Sequence, residues 1–126
     1  MKLHAVIVED DPHLNYVYAL TLKEDFEILA FTEGDVALDY FASHAQIPEL
    51  VVLDFNLPRV SGLEILTAIR NDPRYDKTRV VLSTADERNV EYLHDKADLV
   101  LLKPVSPGQL RRLSQRICGI KELGDE

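Results

Sequence analysis

The sequence predicts an α/β protein in which helices cover both faces of a parallel five-stranded sheet. Five short apolar runs recur along the 126 residues, and most of them are continuous rather than alternating, which is typical of strands buried on both faces. Segments with the apolar spacing of helices lie between these runs. The connections are too short for anything but right-handed crossovers between parallel strands. We therefore expect a doubly wound, three-layer arrangement of five βα units.

The five predicted strands are LHAVIV (3–8), FEILAF (26–31), LVVL (50–53), VVLS (80–83) and LVLL (99–102). Capping residues mark the starts of several helices. Asp11 precedes Pro12 and Ser106 precedes Pro107, and each pair fits an N-cap followed by proline at the first helical position. Ser61 with a glutamate three residues later fits a capping box. The weakest helical pattern lies in the stretch 86–96, where few apolar residues share a face.

The composition predicts one soluble domain in a reducing compartment. The length suits a single domain with one core. A net charge of -8 argues against direct binding of nucleic acid or of an anionic membrane, because both would be repelled. The sequence has no apolar stretch long enough to span a bilayer and no signal-peptide layout. Cys118 is the only cysteine, so no internal disulfide can form, and we expect a cytoplasmic location.

Polar side chains follow all five predicted strands, with Thr32 and Glu33 after the second. Glu9 and Asp10 follow the first strand, Asp54 the third, Thr84 the fourth and Lys103 the fifth. In an open parallel sheet, ligands bind at the carboxyl ends of the strands, and strands one and three are neighbours in the usual doubly wound orders. We therefore expect the three carboxylates to converge at one edge of the sheet.

A cluster of three carboxylates needs a compensating cation. Two carboxylates about 4 Å apart repel by roughly 4 kcal/mol at an effective dielectric constant of about 20. Oxygen ligands in small number suit Mg²⁺, which shares its coordination sphere with phosphate. Lys103 and Thr84 add a positive charge and a hydroxyl donor that could hold phosphoryl oxygens. The pattern predicts that Asp54 is a carboxylate nucleophile that attacks phosphorus.

Four motifs in this order resemble those of the receiver domains of two-component response regulators. They are VIVEDDP at the first strand, LDFNLPRVSGLE around Asp54, STA after the fourth strand and LLKPV after the fifth. The likeness covers nearly the whole chain. It implies a flavodoxin-like fold with strand order 2-1-3-4-5. We expect a receiver domain at residues 1–119 and a short, frayed tail at residues 120–126.

The resemblance implies how the chain acts. Asp54 would be the phospho-acceptor, with the hydroxyl of Thr84 and the amine of Lys103 beside it. The donor would be a phosphohistidine on a sensor histidine kinase or a histidine phosphotransfer domain. The product would switch protein contacts in a phosphorelay, including those of a phosphorylation-dependent dimer. Such a domain assists its own phosphorylation and dephosphorylation but is not a turnover enzyme. The sequence does not identify the downstream effector.

The resemblance also implies a metal site. Mg²⁺ would be bound by Asp10, Asp54 and the backbone carbonyl of Asn56, with Glu9 acting mainly through water. Asn56 and Asp86 would line the rim where water approaches the phosphoryl group, and we expect them to tune its hydrolysis.

Two other functions stay open at this point. An aspartate-nucleophile phosphohydrolase would use a second acid two residues after the nucleophile, and Asn56 stands there instead. A receiver-like interaction module would keep the shape without being phosphorylated, but the acid, threonine and lysine set is complete.

The sequence departs from many receivers at two positions. Val100 stands three residues before Lys103, where an aromatic ring often reports phosphorylation by rotating. Val105 follows the Lys-Pro pair, where phenylalanine is common. We expect the phosphorylation chemistry to be unaffected, whereas output through a rotating ring cannot operate here.

Overall fold

The computed structural model describes residues 2–43 and 46–120, and within them it shows the predicted architecture. The five strands are β1 (Leu3–Val8), β2 (Phe26–Phe31), β3 (Leu50–Asp54), β4 (Arg79–Thr84) and β5 (Leu99–Leu102). They form one parallel sheet in the order β2-β1-β3-β4-β5. The predicted fold class and strand order are confirmed. Residues 121–126 of the predicted tail lie outside the described residues.

Five α-helices and one short 3-10 helix connect the strands. The α-helices are α1 (Pro12–Leu22), α2 (Gly34–Ser43), α3 (Gly62–Arg70), α4 (Glu87–Leu93) and α5 (Pro107–Ile117). The 3-10 helix at Pro73–Tyr75 was not predicted. It is fixed by the buried Tyr75, whose hydroxyl donates to the carbonyl of Phe41 at 2.6 Å. In the part of the chain that the structure describes, no helix is long and apolar enough to cross a membrane.

The core divides into two halves, one on each face of the sheet. One half packs α1 and α5 against the sheet through Tyr18, Leu22 and Leu110. The other packs α2, α3 and α4 through residues that include Phe41, Ile65 and Leu93. Burial of apolar surface on both faces explains why the strands are continuous apolar runs.

The predicted helix caps are present. The side chain of Asp11 accepts hydrogen bonds from the backbone N–H groups of His13 and Leu14, and Ser106 accepts one from Gln109. Ser61 accepts from the backbone N–H of Glu64. These caps satisfy N–H groups that a helix start leaves without intrahelical partners. They also fix the residue at which each of these helices begins after the loop that follows a strand.

Two strands are longer than predicted, and this matters for the site. Asp54 is the last residue of β3, paired with Ser83, and Thr84 is the last residue of β4, paired with Leu102. Both had been expected just beyond the strands. A polar residue can end a buried strand because the sheet ladder still satisfies its backbone, while its buried side chain finds polar partners at the edge of the sheet.

Candidate functional site

Three carboxylates converge at the carboxyl edge of the sheet, as predicted. One carboxylate oxygen from each of Glu9, Asp10 and Asp54 lies within 4.8 Å of the other two. β1 and β3 are direct neighbours, with Val8 paired to Leu53, so the residues that follow these positions meet. Glu9 and Asp54 are almost fully buried, at 1% and 2% exposure, whereas Asp10 reaches solvent.

Lys103 supplies the positive charge of the cluster. Its Nζ lies 3.0 Å from Glu9 Oε1 and 3.3 Å from Asp54 Oδ2. Its backbone N–H donates to the carbonyl of Thr84 at 2.7 Å, which places the lysine beside the end of β4. One ammonium group therefore bridges two buried carboxylates, and such charges are tolerated in a core only when they are paired.

Burial and mutual contact shift the pKa values of Glu9 and Lys103. Loss of water raises the pKa of Glu9 to about 7, and its backbone and lysine contacts offset this only in part. For Lys103, burial pushes the pKa down, but contacts with Glu9 and Asp54 outweigh it and the pKa is raised overall. The lysine is therefore a fixed cation at neutral pH, whereas the Glu9 carboxyl gains or loses its proton near neutral pH.

The backbone after β3 holds the Asp54 carboxylate in place. Asp54 Oδ1 accepts a hydrogen bond from the N–H of Asn56 at 3.1 Å. The N–H of Phe55 donates to the carbonyl of Ser83, and the N–H of Gly62 donates to the carbonyl of Phe55. Both oxygens of Asp54 are thus oriented, Oδ1 by this turn and Oδ2 by Lys103.

The hydroxyl of Thr84 is fully buried and makes three hydrogen bonds. It donates to Asn56 Oδ1 at 3.2 Å. It accepts from the backbone N–H of Asp86 at 3.2 Å and from the side-chain Nδ2 of Asn89 at 3.1 Å. Thr84 therefore links the loop after β3 to the first turns of α4, on the side of the site opposite Glu9.

Asn56 and Asp86, the two residues predicted at the rim of the site, help to line an open depression of about 540 Å³. Arg88 and Leu102 also line it. Asp86 is the N-cap of α4, and both of its carboxylate oxygens bind the Arg88 side chain. That arrangement lowers the pKa of Asp86, first through the side-chain hydrogen bond from Arg88. The amide oxygen of Asn56 is used by Thr84, and an amide cannot supply the proton that a phosphohydrolase needs at this position.

Sequence reasoning missed two buried polar groups on α1, one of which supports the site. The side-chain amide of Asn15 donates to the carbonyls of Glu9 at 3.0 Å and Phe31 at 2.8 Å, and so joins the ends of β1 and β2. The hydroxyl of Tyr18 is buried and has no hydrogen-bond partner among the described residues. A signal was available for Asn15, because it shares one helical face with Tyr18 and Leu22, and a buried side-chain amide usually has a hydrogen-bond partner.

Comparisons with known proteins identify the family of this chain. The response regulator receiver domain family matches residues 5–115. The probable methanogenesis regulatory protein FilR2 of Methanothrix harundinacea is 32% identical, over 89% of this chain and 79% of its own length. The phosphate regulon transcriptional regulatory protein PhoB of Rhizobium meliloti is 31% identical, over 82% of this chain but 47% of its own length. The chain thus spans about half of several of the curated relatives that it matches.

Solved structures point to the same family. The response regulator DrrB of Thermotoga maritima, an OmpR/PhoB homologue, is 26% identical with a TM-score of 0.81, over 94% of this chain and 54% of that one. The BeF3-activated DrrB receiver domain gives the same TM-score and identity, over 94% of this chain and 99% of that one. The chain belongs to the response regulator receiver domain family and is a phosphorylation-based switch domain of two-component signalling.

Proposed function

We propose that the chain accepts a phosphoryl group on Asp54 from a phosphohistidine, with Mg²⁺ bound beside it. The observation that carries this proposal is the cluster itself, in which Lys103 Nζ lies 3.0 Å from Glu9 and 3.3 Å from Asp54, with Asp10 adjacent. No catalytic histidine or cysteine is needed, because a carboxylate is itself a nucleophile toward phosphorus. Asp54 is buried with both oxygens oriented, and its strand β3 lies between β1, which Glu9 follows, and β4, which ends at Thr84.

The donor set fits a magnesium ion. Three carboxylates and one lysine leave an excess of negative charge at the carboxyl edge of the sheet, and every side-chain donor in the cluster is an oxygen. We propose that Asp10, Asp54 and the backbone carbonyl of Asn56 hold the ion, and that Glu9 acts through water. When bound, the ion would neutralise charge on the transferring phosphoryl group.

The chain's own residues position the reaction. A carboxylate oxygen of Asp54 forms a bond to phosphorus while the bond from phosphorus to the donor imidazole nitrogen breaks in line with it. The N–H of Asn56 keeps the carboxylate turned toward the donor. Lys103 then exchanges its carboxylate contact for a phosphoryl oxygen, and Thr84 turns its hydroxyl hydrogen toward another. The product is an acyl phosphate, which water later hydrolyses.

The decisive experiment uses acetyl phosphate as a small phosphodonor and intact-mass spectrometry as the readout. We expect the wild-type protein to gain one phosphoryl group with Mg²⁺ and none with EDTA. Asp54→Asn should gain none, while Asp95→Asn, at an exposed aspartate on the α4–β5 connection, should behave as wild type. A wild-type protein that gains no adduct from any donor would leave only the interaction module. Steady release of phosphate from many phosphate esters would favour the hydrolase.

The physiological partners follow from this proposal. The donor is a sensor histidine kinase or a histidine phosphotransfer domain, and the phosphorylated form changes its contacts with an effector protein or a second copy of the chain. The domain promotes its own phosphorylation and dephosphorylation without being a turnover enzyme. A cytoplasmic location stays a prediction, which the single cysteine motivates.

A further inference from the structure

A receiver without an aromatic ring at residue 100 needs another link from the site to its surface. Val100 is half-buried, pairs with Leu82 in the sheet and packs against the core on the α4 side. A valine side chain there has no ring to turn and no polar group to follow a threonine. If Thr84 moves on phosphorylation, its movement must reach the surface through other contacts.

The hydrogen bonds of Thr84 identify such a contact. A hydroxyl has one hydrogen and two lone pairs. In this structure the hydrogen is used by Asn56, and the lone pairs are used by the N–H of Asp86 and by the side chain of Asn89. The hydroxyl is therefore fully occupied. It can donate to a phosphoryl oxygen only if its hydrogen bond to Asn56 breaks. The two groups that donate to it, the N–H of Asp86 and the side chain of Asn89, must then move with it or lose their hydrogen bonds.

Asn89 lies within α4, whereas Asp86 only caps it. α4 has seven residues, and Leu93 is its buried residue. Its outward side, at the same end of the helix, carries Tyr92, which is more than half exposed and has the Lys96 ammonium over its ring. A short helix with one buried side chain is held weakly, so one hydrogen bond from its first turns to a fully buried hydroxyl is a large part of its attachment.

We propose that Asn89 is a positioning residue, which ties the Thr84 hydroxyl directly to α4 and carries its movement to that helix. The inference rests on the proposed function, because phosphorylation is what draws the hydroxyl away from Asn56. The side chain of Asn89 bonds the same oxygen that turns toward the phosphoryl group. A shift of that oxygen therefore moves the start of α4 and, with it, the exposed surface around Tyr92. The link needs no aromatic ring.

The test measures amide hydrogen exchange with and without beryllofluoride and Mg²⁺, a stable stand-in for the phosphoryl group. We expect beryllofluoride to change exchange of the α4 amides in wild type by about fivefold, which is what one neutral hydrogen bond supports. In Asn89→Ala the change should fall below about twofold, while the loop after Asp54 still responds. Glu91→Ala, at an exposed position of the same helix, should respond as wild type.

The ratio of exchange with and without beryllofluoride, together with a variant of Thr84, distinguishes transmission through Asn89 from a merely structural role of this residue. Loss of support alone would alter exchange in α4 equally with and without beryllofluoride, leaving their ratio unchanged. Thr84→Val removes the hydroxyl from the other side of the bond, and it should reduce the α4 response as Asn89→Ala does. The double variant should then lose no more than either single variant, because both remove one shared interaction.

The results that overturn the proposal are distinct from failure of the proposed function. If Asn89→Ala keeps the wild-type α4 response, or if its loss adds to that of Thr84→Val, Asn89 does not carry the movement. If the wild-type loop after Asp54 responds to beryllofluoride but α4 does not, the inference is wrong while the phospho-acceptor site stands. If neither segment responds and acetyl phosphate gives no adduct, both fail together.

Discussion

At Gly62 the chain after β3 returns against the backbone of Asp54 and Phe55, and Gly62→Ala tests how tightly that turn is built. A Cβ at this position would lie 2.6 Å from the Cα of Phe55 and 2.9 Å from its carbonyl oxygen, and it would also meet the carbonyl of Asp54. All three atoms are backbone. The neighbours therefore cannot give way by rotating a side chain, and the turn itself must shift.

The magnitude follows from these contacts. Overpacking a rigid site costs about 1–3 kcal/mol, and displacement of the turn also weakens the 3.0 Å hydrogen bond from the Gly62 N–H to the Phe55 carbonyl, worth about 1 kcal/mol. We expect Gly62→Ala to lower the free energy of unfolding by about 2–4 kcal/mol. Because the same turn orients Asp54 through the N–H of Asn56, phosphorylation by acetyl phosphate should slow as well.

The assay is urea unfolding followed by circular dichroism, with Gly108→Ala as the matched control. A Cβ on Gly108, in the first turn of α5, would meet only the end of the Arg112 side chain, at 3.3 Å. That flexible group can move away, so the control should change stability by no more than about 1 kcal/mol, in favour of alanine. A Gly62→Ala variant as stable as the wild type would refute the claim that this turn is closed by backbone contact.

Three further predictions concern charge, strain and pH. Lys103→Met leaves the buried carboxylates of Glu9 and Asp54 without their shared cation. In EDTA we expect the free energy of unfolding to fall by about 3–5 kcal/mol, and Mg²⁺ should restore part of this loss. A loss below about 1 kcal/mol would contradict the pairing of Lys103 with the two carboxylates. Arg59 has φ 65° and only exposed ion pairs at 3.6 and 3.8 Å, so Arg59→Gly should raise the free energy of unfolding by about 1 kcal/mol, and a lower urea midpoint would count against this. Burial raises the pKa of Cys118 to about 11. At pH 8, iodoacetamide should therefore alkylate the folded protein about ten- to a hundredfold more slowly than the urea-unfolded chain, and the rate for the folded protein should rise as the pH passes 10. Equal rates for the folded and unfolded protein would show that the thiol is not buried.

The sequence was sufficient to predict the sheet and the convergence of the acids. Continuous apolar runs indicate strands buried on both faces, and the parallel topology then brings the ends of β1 and β3 together. Burial therefore determines which residues of a strand are apolar, and the position of a polar residue at the end of its strand determines whether it reaches the site. The helix caps were predictable for a similar reason, since a cap depends on residues within one turn of each other.

The hydrogen-bond network around Thr84 could not be predicted in the same way. Thr84 and Asn56 are 28 residues apart, and their contact depends on how far two strands extend, which was underestimated by one residue at Asp54 and at Thr84. Asn89 lies in the stretch with the weakest apolar pattern, because α4 buries little. A helix that packs loosely leaves a faint sequence signal, and a switch element is drawn from the same weakly held part of a fold.

The buried polar residues of α1 and α5 were missed for another reason. The ring of Tyr18 packs in the core as the apolar spacing of a helix requires, but its hydroxyl adds a polar group there. Ser114 and Gln115 are buried on α5, although the apolar spacing of a helix gives no reason to expect polar side chains in the core. Gln115 is accommodated by a 3.1 Å hydrogen bond to Asp25, a partner 90 residues away that periodicity cannot reveal.

The most direct test of the central claim is to locate the phosphoryl group on the chain. Borohydride reduces an aspartyl phosphate to homoserine, so the protein is treated with acetyl phosphate and Mg²⁺, reduced, digested and sequenced by tandem mass spectrometry. We predict homoserine at position 54 and at no other aspartate, with none when Mg²⁺ is removed. Homoserine at Asp10 or Asp86 with Asp54 intact would contradict the assignment of Asp54 as the carboxylate that carries the phosphate.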